Sequence, residues 1–254
     1  MDNENKTTGE NVRYTRVLIK LSGGALAGER PWGFEPDALN HIGEEVMNLR
    51  SLNVQVGIVV GGGNIFKGEL GERWGIERAE ADNIGMISTV INCMMLRGVL
   101  TSRGATDVRV MTAIPIDTVA EPYIRLRAIR HLDQSNMILL AAGSGNPYVT
   151  TDYPAVLRAL ELRADVLLSA KNGTDGIYTS DPRINPDAKR YKSIRYDSVI
   201  QQDLRVMDQS SVLLARDHNL PVHVFDFDAP GAMQKICLGE DVGTLISNQE
   251  DVLI

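Results

Sequence analysis

The sequence predicts one continuous α/β domain built on a largely parallel sheet, an expectation carried by two patterns. Short apolar, β-branched runs recur at residues 17–21, 54–60, 108–112, 137–141, 166–168 and 222–225. They are too short for helices and apolar on both faces, as strands covered from both sides are. Stretches with helical periodicity separate them, which is how parallel neighbours are joined.

After the first run, Pro36 opens a segment that sets Leu39, Ile42, Val46 and Leu49 on one helical face. Residues 36–49 therefore read as an amphipathic helix that returns the chain to a parallel second strand. A second helix is expected over 83–102, closed by Gly104, because a left-handed residue can end a helix. Its methionines and isoleucines suit either an interior helix or one packed against another subunit. A third helix should start at Asp152 or Pro154 and run through Leu162, with Thr151 or Asp152 available as its cap. No internal repeat or linker divides the chain. Residues 1–12 read as a flexible polar tail before a single domain spanning 13–254.

Composition narrows the functions. A chain of 254 residues, 43% of them hydrophobic, can bury a sizeable core. Its net charge of −7 leaves no basic surplus for nucleic acid or anionic membrane, so any phosphate must be held by local groups. Cys93 and Cys237 lie far apart without metal-ligand spacing, so neither a disulfide nor a zinc site is expected, and a reducing cytoplasm fits. The N-terminal stretch has no signal-peptide character. No run approaches the roughly eighteen apolar residues of a membrane span, so a soluble protein is expected.

Four clusters follow strand-like runs. Lys20-Leu21-Ser22-Gly23-Gly24 comes after the first, where backbone N–H groups could approach phosphate oxygens and Lys20 could neutralise them; alone, it also reads as an ordinary turn. Gly61-Gly62-Gly63-Asn64 follows the second, with Lys67 beyond. Three consecutive glycines cost chain entropy unless the backbone needs positive φ or lies against a ligand. The pattern is neither a Walker A loop nor a dinucleotide fingerprint. Gly143-Ser144-Gly145-Asn146-Pro147 runs through Tyr148 and Val149 to Thr150-Thr151-Asp152 at a helix start, a natural anion site as well as an ordinary cap. Residues 171–182 hold Asn172, Asp175-Gly176, Tyr178 and Asp181-Pro182; each dipeptide is a common turn, but the position matches the other three loops. Four loops on one sheet edge suggest a nucleotide cradle.

Together, KLSG, GGGN, GNP-x-x-TTD, DGIYTSDP, Val206-Met207-Asp208 and Ala215-Arg216-Asp217-His218 resemble the uridylate kinases of the amino acid kinase family, in order and spacing, over residues 16–246. The combination of Asp82 with GNP-x-x-TTD is the part most specific to that branch. The resemblance implies a three-layer α/β/α sandwich with a central, mostly parallel sheet. It implies a UMP-binding N-terminal part, an ATP-binding C-terminal part, and Mg-dependent phosphoryl transfer from ATP to UMP. By the same resemblance Lys20, Lys67 and Asp181 are catalytic. Lys20, Leu21, Ser22, Gly23, Gly63, Lys67, Asn172, Tyr178 and Asp181 bind ATP. Gly62, Asp82, Ser144, Gly145, Asn146, Pro147, Tyr148, Val149, Thr150 and Thr151 bind UMP, with Asp82 on the ribose.

Such a site needs no general base, because the acceptor phosphate oxygen is already anionic; the work is to align two anions and neutralise the charge between them. Mg²⁺ would arrive with ATP, and no protein metal-ligand set is expected; Asp181 could serve as an outer contact or only as a turn residue. The family usually carries glutamate at Gly24, arginine at Lys67 and threonine at Ser144. Lys67 keeps the charge but loses the guanidinium fork. Gly28, Glu29, Arg30, Pro31, Trp32 and Gly33 resemble the segment where GTP activates; UTP inhibition and a homohexamer are further implications. The alternatives are a carboxylate or carbamate kinase of the same fold, and a nucleotide sensor without transfer.

Overall fold

The computed structural model describes residues 12–254, so the expected tail, apart from Val12, lies outside the described residues; Val12 itself packs against the core. In chain order the elements are β1 (Arg16–Leu21), α1 (Gly24–Ala27), α2 (Pro36–Ser51), β2 (Gln55–Val60), α3 (Gly68–Arg73), α4 (Arg78–Ser102), β3 (Val108–Thr112), β4 (Glu121–Pro122), α5 (Arg125–Asp133) and β5 (Met137–Ala141). They continue with α6 (Asp152–Glu161), β6 (Val166–Lys171), β7 (Tyr191–Arg195), α7 (Tyr196–Gln201), α8 (Gln209–Asp217), β8 (Val222–Asp226), α9 (Ala232–Cys237), β9 (Thr244–Ser247) and β10 (Val252–Leu253).

The strands form one sheet in the order β10-β7-β9-β8-β6-β1-β2-β5-β3-β4. Only the β8·β9 and β7·β10 pairs are antiparallel, both on one side of the sheet. All six expected strands are present. β4, β7, β9 and β10 were not expected, because two are two residues long and the others mix polar residues into short runs.

Two hydrophobic cores lie on opposite faces of the sheet, which makes the three layers. One gathers Val17, Ile19 and Leu21 of β1 with Ile42, Val46 and Leu49 of α2 and Leu96 and Leu100 of α4. The other takes Leu18 of β1 with Ala155 and Ala159 of α6 and Val212 of α8. Side chains alternate along a strand, so Lys20 falls on the α6 side. That register carries the charge toward the helix it needs.

α2 forms as its pattern dictates. The Glu35 carboxylate accepts from Ala38 N at 2.9 Å, Pro36 supplies the preset φ of the first turn, and the four predicted apolar positions are buried. Ile42→Ala alone should cost about 2–5 kcal/mol. α4 starts earlier than expected, at Arg78, because its first turn is held by an Arg78–Asp82 ion pair rather than by apolar residues. It ends at Ser102, and Gly104 beyond it has φ +88°. By length and composition α4 is apolar enough to cross a membrane, contrary to the expectation that no run would be. In this fold it lies on the sheet with Val90, Cys93, Leu96 and Leu100 buried.

Candidate active site

The four glycine-bearing loops follow β1, β2, β5 and β6, which stand side by side in the order β6-β1-β2-β5 and run parallel. Their carboxyl ends therefore open on one edge, where ligands of open α/β sheets bind. The loops after β1 and β2 are pressed together: a Cβ on Gly23 would sit 2.6 Å from Gly63 N and 2.8 Å from Asn64 N. A Cβ on Gly62 would sit 2.6 Å from Gly85 O of α4. None of Gly61, Gly62 and Gly63 has positive φ. Close approach of protein to protein, rather than an unusual backbone, explains the first two, and only Gly63 faces open space.

Asn64 locks this arrangement. Only 1% exposed, it exchanges hydrogen bonds with Asn92 at 2.7 and 3.1 Å and donates to Gly33 O at 2.9 Å. Asn92 in turn donates to Gly61 O at 2.7 Å. The exposed segment 28–33, with Trp32 69% exposed, is thereby tied to the loop after β2.

A cavity of about 400 Å³ opens between these loops and α4. Of the residues expected on the acceptor side, Gly62, Asp82, Asn146, Val149, Thr150 and Thr151 line it, as does Gly63. Ser144, Gly145, Pro147 and Tyr148 stand in the same loop outside the lining; Tyr148 N donates to Asp82 Oδ2 at 2.8 Å. Thr89 of α4 fixes the far wall by accepting from Ala142 N at 2.7 Å. Neither expected cap works as such: α6 begins at Asp152, Thr151 makes no side-chain cap bond, and Asp152 N donates to Thr150 Oγ1 at 3.3 Å. The Asp152 carboxylate is used elsewhere.

That carboxylate meets Lys20. Lys20 is buried, and its Nζ lies 2.8 Å from Asp152 Oδ1, while Asp152 Oδ2 accepts from Asp208 N at 3.2 Å. Asp208 accepts from the Thr150 hydroxyl. Lys171, at the end of β6, shares the Lys20 face of the sheet by register and donates to Val206 O at 2.5 Å. Burial, and next the Lys20 charge, pull the Lys171 ammonium below the usual lysine value, while Asp152 and Asp208 pull it back up. One ion pair, Lys20–Asp152, thus sits between the loops, with Lys171 and Asp208 close enough to influence it by charge. Sequence reading placed Lys20 here but gave Lys171, Asp152 and Asp208 no charge role. A lysine closing an otherwise apolar strand is the signal that could have marked Lys171.

Beyond the cluster, a cavity of about 340 Å³ is lined by Asp152, Lys171 and Asp208. It shares residues 203–206 with one of about 660 Å³ that Tyr178 and Asp181 line. Tyr178 donates to Asp175 Oδ1 at 2.6 Å, a bond that raises its pKa, and Asn172 donates to Asp228 Oδ1 at 3.1 Å. Both oxygens of Asp181 are engaged by Arg183, whose hydrogen bonds hold that carboxyl below its ordinary value. Leu21 lies in the core and can offer only backbone; Ser22 Oγ accepts from Ala25 N at 3.2 Å. Lys67 is exposed, between Phe66 and Gly68 of the first cavity, and does not line it.

An edge of glycine loops that carries a buried lysine, Lys20, a half-buried one, Lys171, and a cavity to each side is the geometry of a nucleotide-handling enzyme. The amino acid kinase family model matches residues 15–226, and the chain belongs to that family. It is 55% identical over 240 residues to the uridylate kinase of Frankia casuarinae, covering 94% of this chain and 93% of that one. It is 45% identical over 243 residues to that of a Ruegeria species, covering 96% and 97%. The solved UMP kinase of Bacillus anthracis superposes with a TM-score of 0.93 at 56% identity, covering 95% of this chain and 99% of that one. That of Ureaplasma parvum gives 0.87 at 32% identity, covering 93% and 100%.

Proposed function

We propose that this chain transfers the γ-phosphoryl group of ATP to UMP, giving ADP and UDP. The observation that carries the reading is the Lys20–Asp152 pair, set between a cavity lined by Gly62, Asp82 and Thr151 and a second space lined by Lys171, Tyr178 and Asp181. UMP occupies the first, in the N-terminal part of the domain, and ATP the second, in the C-terminal part. Transfer needs the two ligands in line and positive charge where negative charge passes. Lys20 and Lys171 supply it: with Asp152 and Asp208 they form a balanced cluster, and arriving phosphates replace the carboxylates as partners. Gly63 N and the backbone of residues 22–23 face the transferring group, and Asp82 takes the ribose. A UMP phosphate oxygen attacks the γ-phosphorus while the bond to the β–γ bridging oxygen breaks, so the electron pair leaves on ADP. No proton has to be removed.

Among the described residues no three acidic, histidine or cysteine side chains converge to cage a metal. Mg²⁺ would come with ATP, held largely by its phosphates and water, and Asp181 would be the protein's outer contact to it. When bound, the ion spreads the charge of the phosphoryl group. Lys67, exposed beside Phe66 and Gly68 of the acceptor cavity, adds positive charge at its rim. GTP activation through residues 28–33 has support in the Gly33–Asn64 contact with the loop after β2, and UTP inhibition rests on the family resemblance alone. Ile87, Ile91, Met94 and Met95 leave an exposed apolar face on α4, which supports assembly of copies as a homohexamer. The cytoplasm, where both nucleotides are made, is the proposed location.

Asp82 and residues of the 146–151 segment, which line the acceptor cavity together, are a combination that a carboxylate or carbamate kinase of this fold would not be expected to carry. The test is ADP release from Mg·ATP with UMP, CMP, AMP, aspartate, glutamate and carbamate in turn. UMP should be the preferred acceptor. Transfer only to a carboxylate or carbamate, or to nothing, contradicts the proposal.

A further inference from the structure

Arg78 opens α4 one turn before Asp82, and its Nε lies 3.0 Å from both carboxylate oxygens. Tyr148 N, from the loop after β5, donates to Asp82 Oδ2, and the Arg78 guanidinium stands 6.0 Å from the Tyr148 ring centroid. Tyr148 holds φ +65°, a backbone state that costs an ordinary residue free energy and persists only where contacts hold it. Arg78 and Asp82 both line the cavity assigned to UMP. Among the described residues the terminal nitrogens of Arg78 make no hydrogen bond.

The Asp82 side chain is only 18% exposed, so these donors stand in for water that cannot reach it freely. One Nε–H shared by two oxygens and one backbone N–H leave lone pairs on the carboxylate for a further donor from the cavity. A second anion is repelled there; a neutral hydroxyl is not. In a nucleoside monophosphate the sugar supplies such hydroxyls. A carboxylate free to rotate would accept from ribose or water alike, whereas one fixed on both sides presents its remaining lone pairs in one direction.

We propose that Arg78 is a positioning residue for the acceptor: by fixing Asp82 against Tyr148 it sets the selectivity for ribose over deoxyribose. The inference rests on the reading of this cavity as the UMP site. A site built to bond a hydroxyl rejects the analogue that lacks it, because its own polar group is then left unpaired.

The test measures kcat and KM with UMP and with dUMP for wild type, Arg78→Gln, Arg78→Lys and Asp82→Asn. Wild type should favour UMP by about a hundredfold or more in kcat/KM. Arg78→Gln should raise KM for UMP about tenfold, change kcat by less than about threefold, and move the UMP/dUMP ratio toward that of Asp82→Asn. KM for ATP and the melting temperature should hold, which separates positioning from general loosening. Arg78→Lys keeps the charge but not the planar fork, so it should lose selectivity too; it carries the test should Arg78→Gln not accumulate. A wild type inert toward UMP overturns the acceptor reading and this inference with it. With wild type active on UMP, equal use of dUMP, unchanged selectivity in the Arg78 variants, or selectivity lost only together with ATP affinity and stability overturns this inference alone.

Discussion

The Lys20 ammonium lies 2.8 Å from Asp152 Oδ1, joining the end of the central strand β1 to the first residue of α6. Both groups are largely buried, so neither can shed its partner without desolvation cost. The pair aims Lys20 before any ligand arrives. Asp152→Asn should therefore reduce kcat by about a hundredfold through a misdirected lysine, while KM for UMP stays within about threefold. Steady-state kinetics with UMP varied at saturating ATP decides it; a rise in KM with kcat intact would make Asp152 a binding group.

Gly23 is where two catalytic loops touch. The Cβ of alanine would meet Gly63 N at 2.6 Å and Asn64 Oδ1 at 2.7 Å, and backbone cannot swing aside as a flexible side chain can. Gly23→Ala should lower kcat/KM by about a hundredfold or more, since a shift near 1 Å at the reacting centre has that effect. Normal turnover of the variant would show that the loops tolerate separation.

The Asn64–Asn92 pair is a stability device as well as a spacer. Asn64→Ala leaves Gly33 O and the Asn92 side chain short of partners in a buried site, a loss of about 1–3 kcal/mol. Urea unfolding should show a lower midpoint with an unchanged slope. An unchanged midpoint would mean that water replaces the amide without cost.

His223 is 6% exposed; burial first, and then the nearby Arg13 charge, push its pKa down to about 4. At neutral pH the folded and unfolded states both hold it uncharged, so it contributes nothing to pH dependence there. As pH falls below the ordinary histidine value the unfolded chain takes up a proton that the fold refuses. Stability should then drop by about 1.4 kcal/mol per pH unit until pH reaches about 4. The difference in unfolding free energy between wild type and His223→Gln, followed from pH 7 to about 4, isolates this contribution. Parallel curves would contradict it.

The central strands were legible because each is an unbroken apolar run buried on both faces, as residues 137–141 show. β7 and β9 were not, since Tyr191-Lys192-Ser193 and Thr244 look like loop residues until neighbouring strands give them partners. Glycine clusters and Lys20 could be read locally, whereas Asp82 was marked only by the family resemblance. The Lys20–Asp152 pair and the place of Lys171 could not, because they arise from strand register and from where α6 begins. Asp152 read as a cap for the same reason: local sequence offers an acidic residue at a helix start its commonest use, and only the fold brings a buried ammonium to it.

The account turns on phosphoryl transfer past Lys20, and phosphorus NMR of Mg·ATP with UMP reports it directly. Wild type should convert the two into ADP and UDP in equal amounts. Lys20→Ala should slow that conversion by about a hundredfold or more while still binding UMP with nearly unchanged affinity. No UDP from wild type, or undiminished conversion by Lys20→Ala, would contradict the account.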